Sequence, residues 1–89
     1  MIKVLLPYST KEKLIKKAYK SNFKSYLTGL LNAIENNQAD YYKDNFNMFC
    51  IYSNTKNYFI VKFLDFGFIP IGQFEEKEQL DLFLQNLKV

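Results

Sequence analysis

The sequence predicts an α+β domain with a four-stranded, mostly antiparallel sheet and helices packed on one of its faces. Three observations lead to this prediction. Apolar residues recur at helical spacing between residues 10 and 36, alternate with a period of two between residues 47 and 74, and return to helical spacing after residue 75. The expected order of elements is therefore β-α-α-β-β-β-α, within a single domain that spans residues 1–89.

The first predicted elements are a strand and two helices. Residues 2–6 form a short apolar run before Pro7, which predicts a buried strand that either stops at the proline or lies at an edge of the sheet. Ser9 and Glu12 have the spacing of a capping box, which predicts that the first helix begins there. The helical pattern that follows is too long for one helix of so small a domain, and we expect it to break near Ser21.

The second half of the chain predicts three strands and a final helix, after a polar linker over residues 38–45. The middle strand, residues 58–64, is apolar on both faces, so we expect something to cover part of the second face. Pro70 predicts that the last strand lies at an edge or contains a bulge. The final helix, residues 75–88, has an apolar stripe formed by Leu80, Phe83, Leu84 and Leu87.

The composition restricts the chemistry that the chain can perform. All 12 cationic side chains are Lys, and His is absent. His is the usual general base near neutral pH, and Arg is the preferred ligand for phosphate and transition-state charge. Cys50 alternates with apolar residues and is expected to be a buried, unreactive thiol. We therefore expect no enzyme activity, no catalytic or metal-binding residues and no cofactor.

The cysteine content and the hydropathy pattern indicate the cellular compartment in which the protein is expected. Cys50 is the only cysteine and cannot form an internal disulfide, which favours a reducing, cytoplasmic setting. The most apolar stretch, residues 58–72, is interrupted by Lys62 and Asp65. It falls short of the roughly 18 uninterrupted residues that a membrane-spanning helix needs, so no membrane partner is expected.

Positive charge is concentrated near the N-terminus, where residues 1–24 hold seven Lys and one acidic residue. Five of these Lys are spaced three or four residues apart and would share one face of a continuous helix: Lys13, Lys16, Lys17, Lys20 and Lys24. This face has two interpretations. It binds the phosphates of a nucleic acid or an acidic partner, or it is simply the solvated face of an amphipathic helix. The absence of Arg does not favour sequence-specific DNA recognition.

Five aromatic residues fall in or near predicted loops and strand ends: Tyr41, Tyr42, Tyr52, Tyr58 and Phe66. The four tyrosines among them are the candidate partner-binding residues. Three interpretations are open for them. They are contact residues of a protein interface, where Tyr is enriched, or they stack on the bases of a single-stranded nucleic acid. Alternatively, they complete the core of a small protein that has no Trp.

The predicted element order, together with the Lys-rich helical pair, resembles that of the RelE/ParE superfamily of ribosome-dependent ribonuclease toxins over most of the chain. The resemblance implies an RNA-cleaving toxin or a relative of one. Those toxins use Arg, Lys, His, Tyr or Glu side chains on the sheet and at the C-terminal end. Arg and His are absent here and an acidic helix is predicted at the end of the chain, so the resemblance assigns no site residue.

The leading hypothesis is a non-catalytic binding protein. Small, aromatic-rich domains without a catalytic set are typical of phage and mobile-element accessory proteins, many of which inhibit a host machine, such as a CRISPR effector, by occupying its surface. This assignment is by analogy. The expected partner is a protein or a protein–nucleic-acid complex, and a homodimer is a further expectation because both sheet faces are apolar. The alternatives are a nucleic-acid-binding module that uses the Lys face and a RelE/ParE-like toxin relative.

Overall fold

The computed structural model describes residues 2–87, which form one antiparallel sheet with helices on both faces. The strands are β1 (Ile2–Val4), β2 (Asp40–Lys43), β3 (Met48–Ser53), β4 (Tyr58–Leu64) and β5 (Gly67–Phe74). The helices are α1 (Tyr8–Tyr19), α2 (Lys24–Glu35) and α3 (Lys77–Asn86). The strands are ordered β1-β2-β3-β4-β5 across the sheet, and each pairs antiparallel with its neighbours. The α+β class and the antiparallel sheet are therefore confirmed.

The sheet has five strands, so the prediction of four is wrong. The additional strand, β2, lies in the segment that was expected to be a polar linker, and it pairs with both β1 and β3. Only one of its four side chains, Tyr41, is buried. A four-residue strand among polar neighbours is too short to show an apolar alternation, and pairing on both sides supplies the stability that the pattern does not indicate.

The prediction that the helices pack on one face is also wrong. Helices α1 and α2 cover the face that carries Cys50, Val61 and Phe63, while α3 packs on the opposite face against Ile51 and Ile60. The expectation that something covers the second face of β4 is confirmed, and the cover is α3. This removes the argument for a homodimer that rested on two apolar sheet faces.

The N-terminal elements differ from their prediction in two respects. Strand β1 lies at an edge of the sheet, which is one of the two expected alternatives, but it ends at Val4 and is largely exposed instead of buried. Helix α1 begins one residue before Ser9, with Pro7 at the N-cap and no side-chain cap. The capping box expected at Ser9 and Glu12 is therefore not formed. Pro7 has extended backbone angles of φ −68° and ψ 159°, and its fixed φ suits the residue that precedes a helix.

Other expectations are confirmed. The helical region breaks at Ser21, between α1 and α2. Pro70 lies in β5, which is an edge strand, and the register between β4 and β5 shifts at Ile60 and Val61. In α3, Leu80 is buried and the other three stripe residues pack beside it. Residue 88, which the predicted final helix included, lies outside the described residues.

Candidate binding surface at one end of the sheet

Two turns and a helical corner lie together at one end of the sheet. The β2–β3 turn, residues 44–47, and the β4–β5 turn, residues 65–66, are at the same end because every second turn of an antiparallel meander returns to that end. Their centres are two strand spacings apart, about 10 Å. The corner between α1 and α2, residues 20–23, contacts β5 directly after the second turn: the Ser21 hydroxyl donates a hydrogen bond to the Phe68 carbonyl at 2.9 Å. We call this region the aromatic end.

The β2–β3 turn is held by the side chain of Asp44. Its carboxylate accepts hydrogen bonds from the backbone N–H of Phe46 at 2.9 Å and of Asn47 at 2.7 Å, and another from the Asn47 side-chain amide at 3.1 Å. These bonds, chiefly the one from Phe46, lower the pKa of the Asp44 carboxyl. The turn presents Phe46 at its third position, where the side chain is 94% exposed.

The β3–β4 turn, at the opposite end of the sheet, has the same hydrogen-bond pattern. The Asn54 side-chain oxygen accepts from the backbone N–H of Lys56 at 2.8 Å and of Asn57 at 2.7 Å. In both turns the first residue also donates its own N–H to the carbonyl of the fourth, at 3.1 Å and 3.0 Å. The third position of this turn is Lys56 instead of Phe. The turn geometry therefore does not require an aromatic side chain at that position.

The β4–β5 turn presents a second aromatic side chain, Phe66, which is 82% exposed. The next residue, Gly67, has φ +143°, a conformation that L side chains rarely adopt. A Cβ atom there would lie 2.9 Å from the Ser21 Cα. Glycine is therefore needed both for the backbone conformation and for the close approach of the α1–α2 corner.

The α1–α2 corner is fixed by buried Ser21, which also accepts a hydrogen bond from the Phe23 backbone N–H at 3.2 Å. The Lys24 ammonium donates to the Tyr19 carbonyl at 2.8 Å. One side of Phe23 packs against Phe68, with ring centroids 6.4 Å apart. Tyr19 and Phe23 remain 56% and 40% exposed, so the corner adds two accessible aromatic rings beside the β4–β5 turn.

Exposed apolar side chains are concentrated at the aromatic end. Among residues 2–87, nine large hydrophobic side chains are exposed, and six of them lie at this end: Ile2, Tyr19, Phe23, Phe46, Leu64 and Phe66. The other three are Leu5, Tyr8 and Leu82. An open cleft of about 550 Å³, lined by Ile2, Val4 and residues 43–45, adjoins the β2–β3 turn. Grouped apolar exposure of this kind marks interaction sites.

The four tyrosines selected from the sequence do not form one surface. Tyr41 and Tyr52 are 5% and 4% exposed, on the sheet face below α1 and α2. Burial raises the pKa of both hydroxyls. Tyr42 and Tyr58 are half-buried on the opposite face, beside α3. Their placement supports the interpretation that these residues complete the core, and the expectation that Tyr41 and Tyr42 lie in a linker is wrong.

The five lysines of the predicted basic face are divided by the break at Ser21. Lys24 begins α2 and leaves the row, while the other four remain on α1 and its C-cap. We call these four the lysine stripe: Lys13, Lys16, Lys17 and Lys20. Lys17 is half-buried and the others are exposed. The only ion pair within residues 2–87 joins Lys3 to Asp40 at 3.5 Å, so within this part of the chain no carboxylate pairs with the stripe.

The thiol of Cys50 lies in the core of the protein. Cys50 is fully buried, and burial raises the pKa of its thiol. A thiol in this environment is a poor nucleophile. Within residues 2–87 there is no group of three side chains that could hold a metal ion. None of the helices in the same range has the length and apolarity to cross a membrane.

Comparison with known proteins gives no match to any family model, curated protein or solved structure. The resemblance to the RelE/ParE superfamily rested on an element order that lacks β2, and it stays a prediction. Sequence reasoning missed Phe46 as a candidate site residue, and it grouped Phe66 with the aromatic residues near loops without selecting it as a partner-binding residue. A usable signal was present, because each Phe stands in a short turn beside Asp and Asn or Gly, where an apolar side chain has no structural role.

Proposed function

We propose that this chain is a non-catalytic binding protein that docks on another protein through the aromatic end. One observation carries the proposal. Two separate turns at the same end each present an almost fully exposed Phe, whereas the matching turn at the opposite end presents Lys56. Burying one such side chain in a partner's pocket contributes about 1.5–3 kcal/mol to the binding free energy, a stabilisation that the free protein lacks.

The construction of the turns favours tight docking. Phe46 is held on a turn closed by side-chain hydrogen bonds, and Phe66 precedes a glycine that is packed against Ser21. Little backbone conformational entropy is then lost when the rings enter a pocket. Aromatic side chains are also enriched at the centres of protein interfaces.

The charges near the two rings indicate what the partner presents. Lys20, Lys24 and Lys43 also lie at the aromatic end, so its charge is mixed and favours a partner surface that carries both acidic and basic groups around apolar pockets. Asp65 directly precedes Phe66 in the chain, and the Asp44 carboxylate accepts a hydrogen bond from the Phe46 backbone N–H. Carboxylates in these positions repel phosphate, so a protein is favoured over a nucleic acid as the ligand of Phe46 and Phe66.

The proposed mode of action is steric. The sequence contains no His and no Arg, and its single thiol is buried. A small domain that docks by two preformed turns acts by covering a surface of its partner. Inhibition of a host machine by a phage or mobile-element protein is a more specific form of this hypothesis, drawn by analogy with other small accessory proteins, and it stays a prediction.

The test is site-specific photocrosslinking. Benzoylphenylalanine replaces Phe46 in one variant and Lys56 in a matched variant, so that the same probe is carried by the same turn geometry at opposite ends. In cells that naturally express the protein, we expect a discrete crosslinked protein from position 46 and none from position 56. Equal crosslinking from both positions would contradict the proposal.

A second variant measures the energetic contribution of the ring. Phe46→Lys gives the β2–β3 turn the side chain that its counterpart already carries. We expect partner affinity to fall about ten- to one-hundredfold, the equivalent of losing one buried aromatic side chain. Lys56→Ala is the control and should leave affinity unchanged. Retained affinity in Phe46→Lys would exclude this residue as a contact.

A further inference from the structure

We infer that the lysine stripe and the aromatic corner beside it bind single-stranded nucleic acid. This site uses Lys13, Lys16, Lys17 and Lys20 with the rings of Tyr19 and Phe23. It does not use Phe46 or Phe66, although it shares Tyr19, Lys20 and Phe23 with the aromatic end. The two proposals are therefore distinguished by variants of Phe46 on one side and of Lys13, Lys16 and Lys17 on the other.

The stripe places four positive charges along one side of a rigid helix. Lys13 and Lys20 are seven residues apart, or about 10 Å at ~1.5 Å per residue. Neighbouring members have Cβ atoms about 5–6 Å apart. The helix carries a single acidic residue, Glu12, and the ion pair found within residues 2–87 does not involve the stripe. A closely spaced, unneutralised row of ammonium groups is complementary to a phosphate backbone.

The corner adds base-stacking groups at the end of this row. Within residues 19–24 an aromatic residue followed directly by Lys occurs twice, as Tyr19-Lys20 and Phe23-Lys24, four residues apart. Both rings are partly exposed, and the hydrogen bonds of Ser21 fix the segment between them. Lys24 also holds the Tyr19 carbonyl, so the rings are positioned before any ligand arrives. Stacking contributes about 1–3 kcal/mol per base in single-strand-binding proteins.

The same features favour a single strand over a duplex. Aromatic rings reach the faces of unpaired bases, whereas inserting a ring into a duplex requires unstacking a base step. The chain has no Arg, the residue that most often reads base edges in the major groove. Binding through Lys and aromatic rings alone is tolerant of sequence. We therefore expect affinity for single strands of any composition.

The experiment is fluorescence anisotropy with labelled oligothymidylate of about 12 nucleotides, a length within the range that single-strand-binding modules cover. We expect binding at low salt that weakens with a slope of log K against log salt near −2.8, about −0.7 for each of four phosphate contacts. A duplex of equal length should bind more weakly.

Variants then assign the binding to the stripe. The test variant changes four lysines to Gln: Lys13, Lys16, Lys17 and Lys20. The control variant changes four lysines outside the stripe to Gln: Lys3, Lys56, Lys62 and Lys77. Both lower the net charge equally, and circular dichroism verifies that both are folded. We expect the slope to approach zero in the test variant and to change little in the control.

The corner is tested by Tyr19→Ala with Phe23→Ala, which should lower affinity at least tenfold while the salt slope stays the same, because stacking releases no counterions. Should this double variant prove unstable, Tyr19→Ala alone, at the more exposed ring, carries the test. Phe46→Lys should retain oligothymidylate binding, so the failure of one proposal is distinguishable from the failure of the other.

Three results would overturn the inference. They are an absence of binding at low salt, an equal loss of affinity in the two quadruple variants, and tighter binding of the duplex than of the single strand. An acidic polypeptide, polyglutamate, serves as a competitor. If it displaced oligothymidylate at equal charge concentration, the stripe would be a general polyanion surface and the single-strand assignment would be wrong.

Discussion

The β2–β3 and β3–β4 turns lie at opposite ends of the sheet and are closed by the same pattern of hydrogen bonds. Each is a four-residue connection in which an Asp or Asn side chain accepts hydrogen bonds from the third and fourth backbone N–H groups. They differ at the third position, where one has Phe46 and the other Lys56. Because the backbone geometry is shared, the fold does not explain the aromatic residue, and a binding role explains it better.

The comparison extends to the two ends of the molecule. At the aromatic end, a glycine and a buried serine lock the α1–α2 corner against β5, and accessible rings surround this junction. At the other end, the β3–β4 turn is polar throughout. The difference indicates that rigidity and apolar exposure occur together at the aromatic end, as expected of a preformed binding surface.

The largest expected effect on stability concerns Gly67, where β5 closely approaches Ser21. Gly67→Ala forces a side chain into φ +143° and brings its Cβ to 2.9 Å from the Ser21 backbone. We expect a loss of at least about 2 kcal/mol in the free energy of unfolding, measured with urea. Gly29→Ala is the control, because its Cβ would meet Tyr52 at 3.3 Å within a helix that favours Ala. Equal losses in the two variants would show that Gly67 has no special role.

The next effect concerns Ser21. Ser21→Ala removes the buried hydrogen bond to the Phe68 carbonyl, and the carbonyl oxygen then lacks its hydroxyl donor. We expect the protein to lose about 1–2 kcal/mol in urea unfolding. Ser25→Ala, at an exposed position in α2, should cost less. A Ser21→Ala protein as stable as the wild type would mean that packing alone holds the corner.

A smaller effect on stability, which depends on pH, distinguishes the β2–β3 turn from the β3–β4 turn. The pKa of Asp44 is lowered in the folded protein, so its stabilising contribution is present above the unfolded pKa near 3.8 and is lost as pH falls through the folded value. Asp44→Asn makes the turn resemble its counterpart. It should be less stable than wild type at neutral pH, and this difference should shrink as the solution is acidified in thermal unfolding. A difference that does not change with pH would contradict the proposed role of the carboxylate.

The smallest effect is expected from the residue that matters most for binding. Phe46→Lys should change the free energy of unfolding by no more than about 0.5 kcal/mol, because the ring is 94% exposed. The exchange variant, Phe46→Lys with Lys56→Phe, should be equally stable but should bind its partner no better than the single variant. Destabilisation well above this value would reveal a packing role for Phe46 and weaken the comparison.

Features with a long, regular local pattern were predictable from the sequence. The alternation through β3 and β4 and the apolar stripe of α3 follow from periodicity within one segment, and the break at Ser21 follows from the length of the helical pattern. The candidate site was not predictable in the same way. Tyr41 stands among polar residues and is buried nevertheless, while Phe46 stands in a similar segment and is exposed. Local composition does not distinguish these cases, because pairing with neighbouring strands decides which side chain faces the core.

By itself the sequence determined the α+β class, the strand faces, and a chemistry without imidazole or guanidinium groups. The tertiary structure alone decided that β2 joins the sheet, that α3 covers its second face, and that turns 20 residues apart lie side by side. The physical reason is the separation along the chain of the residues that determine each feature. Side-chain periodicity is a property of neighbouring residues, whereas the position of a turn within a sheet depends on hydrogen bonds between strands that are distant in the chain.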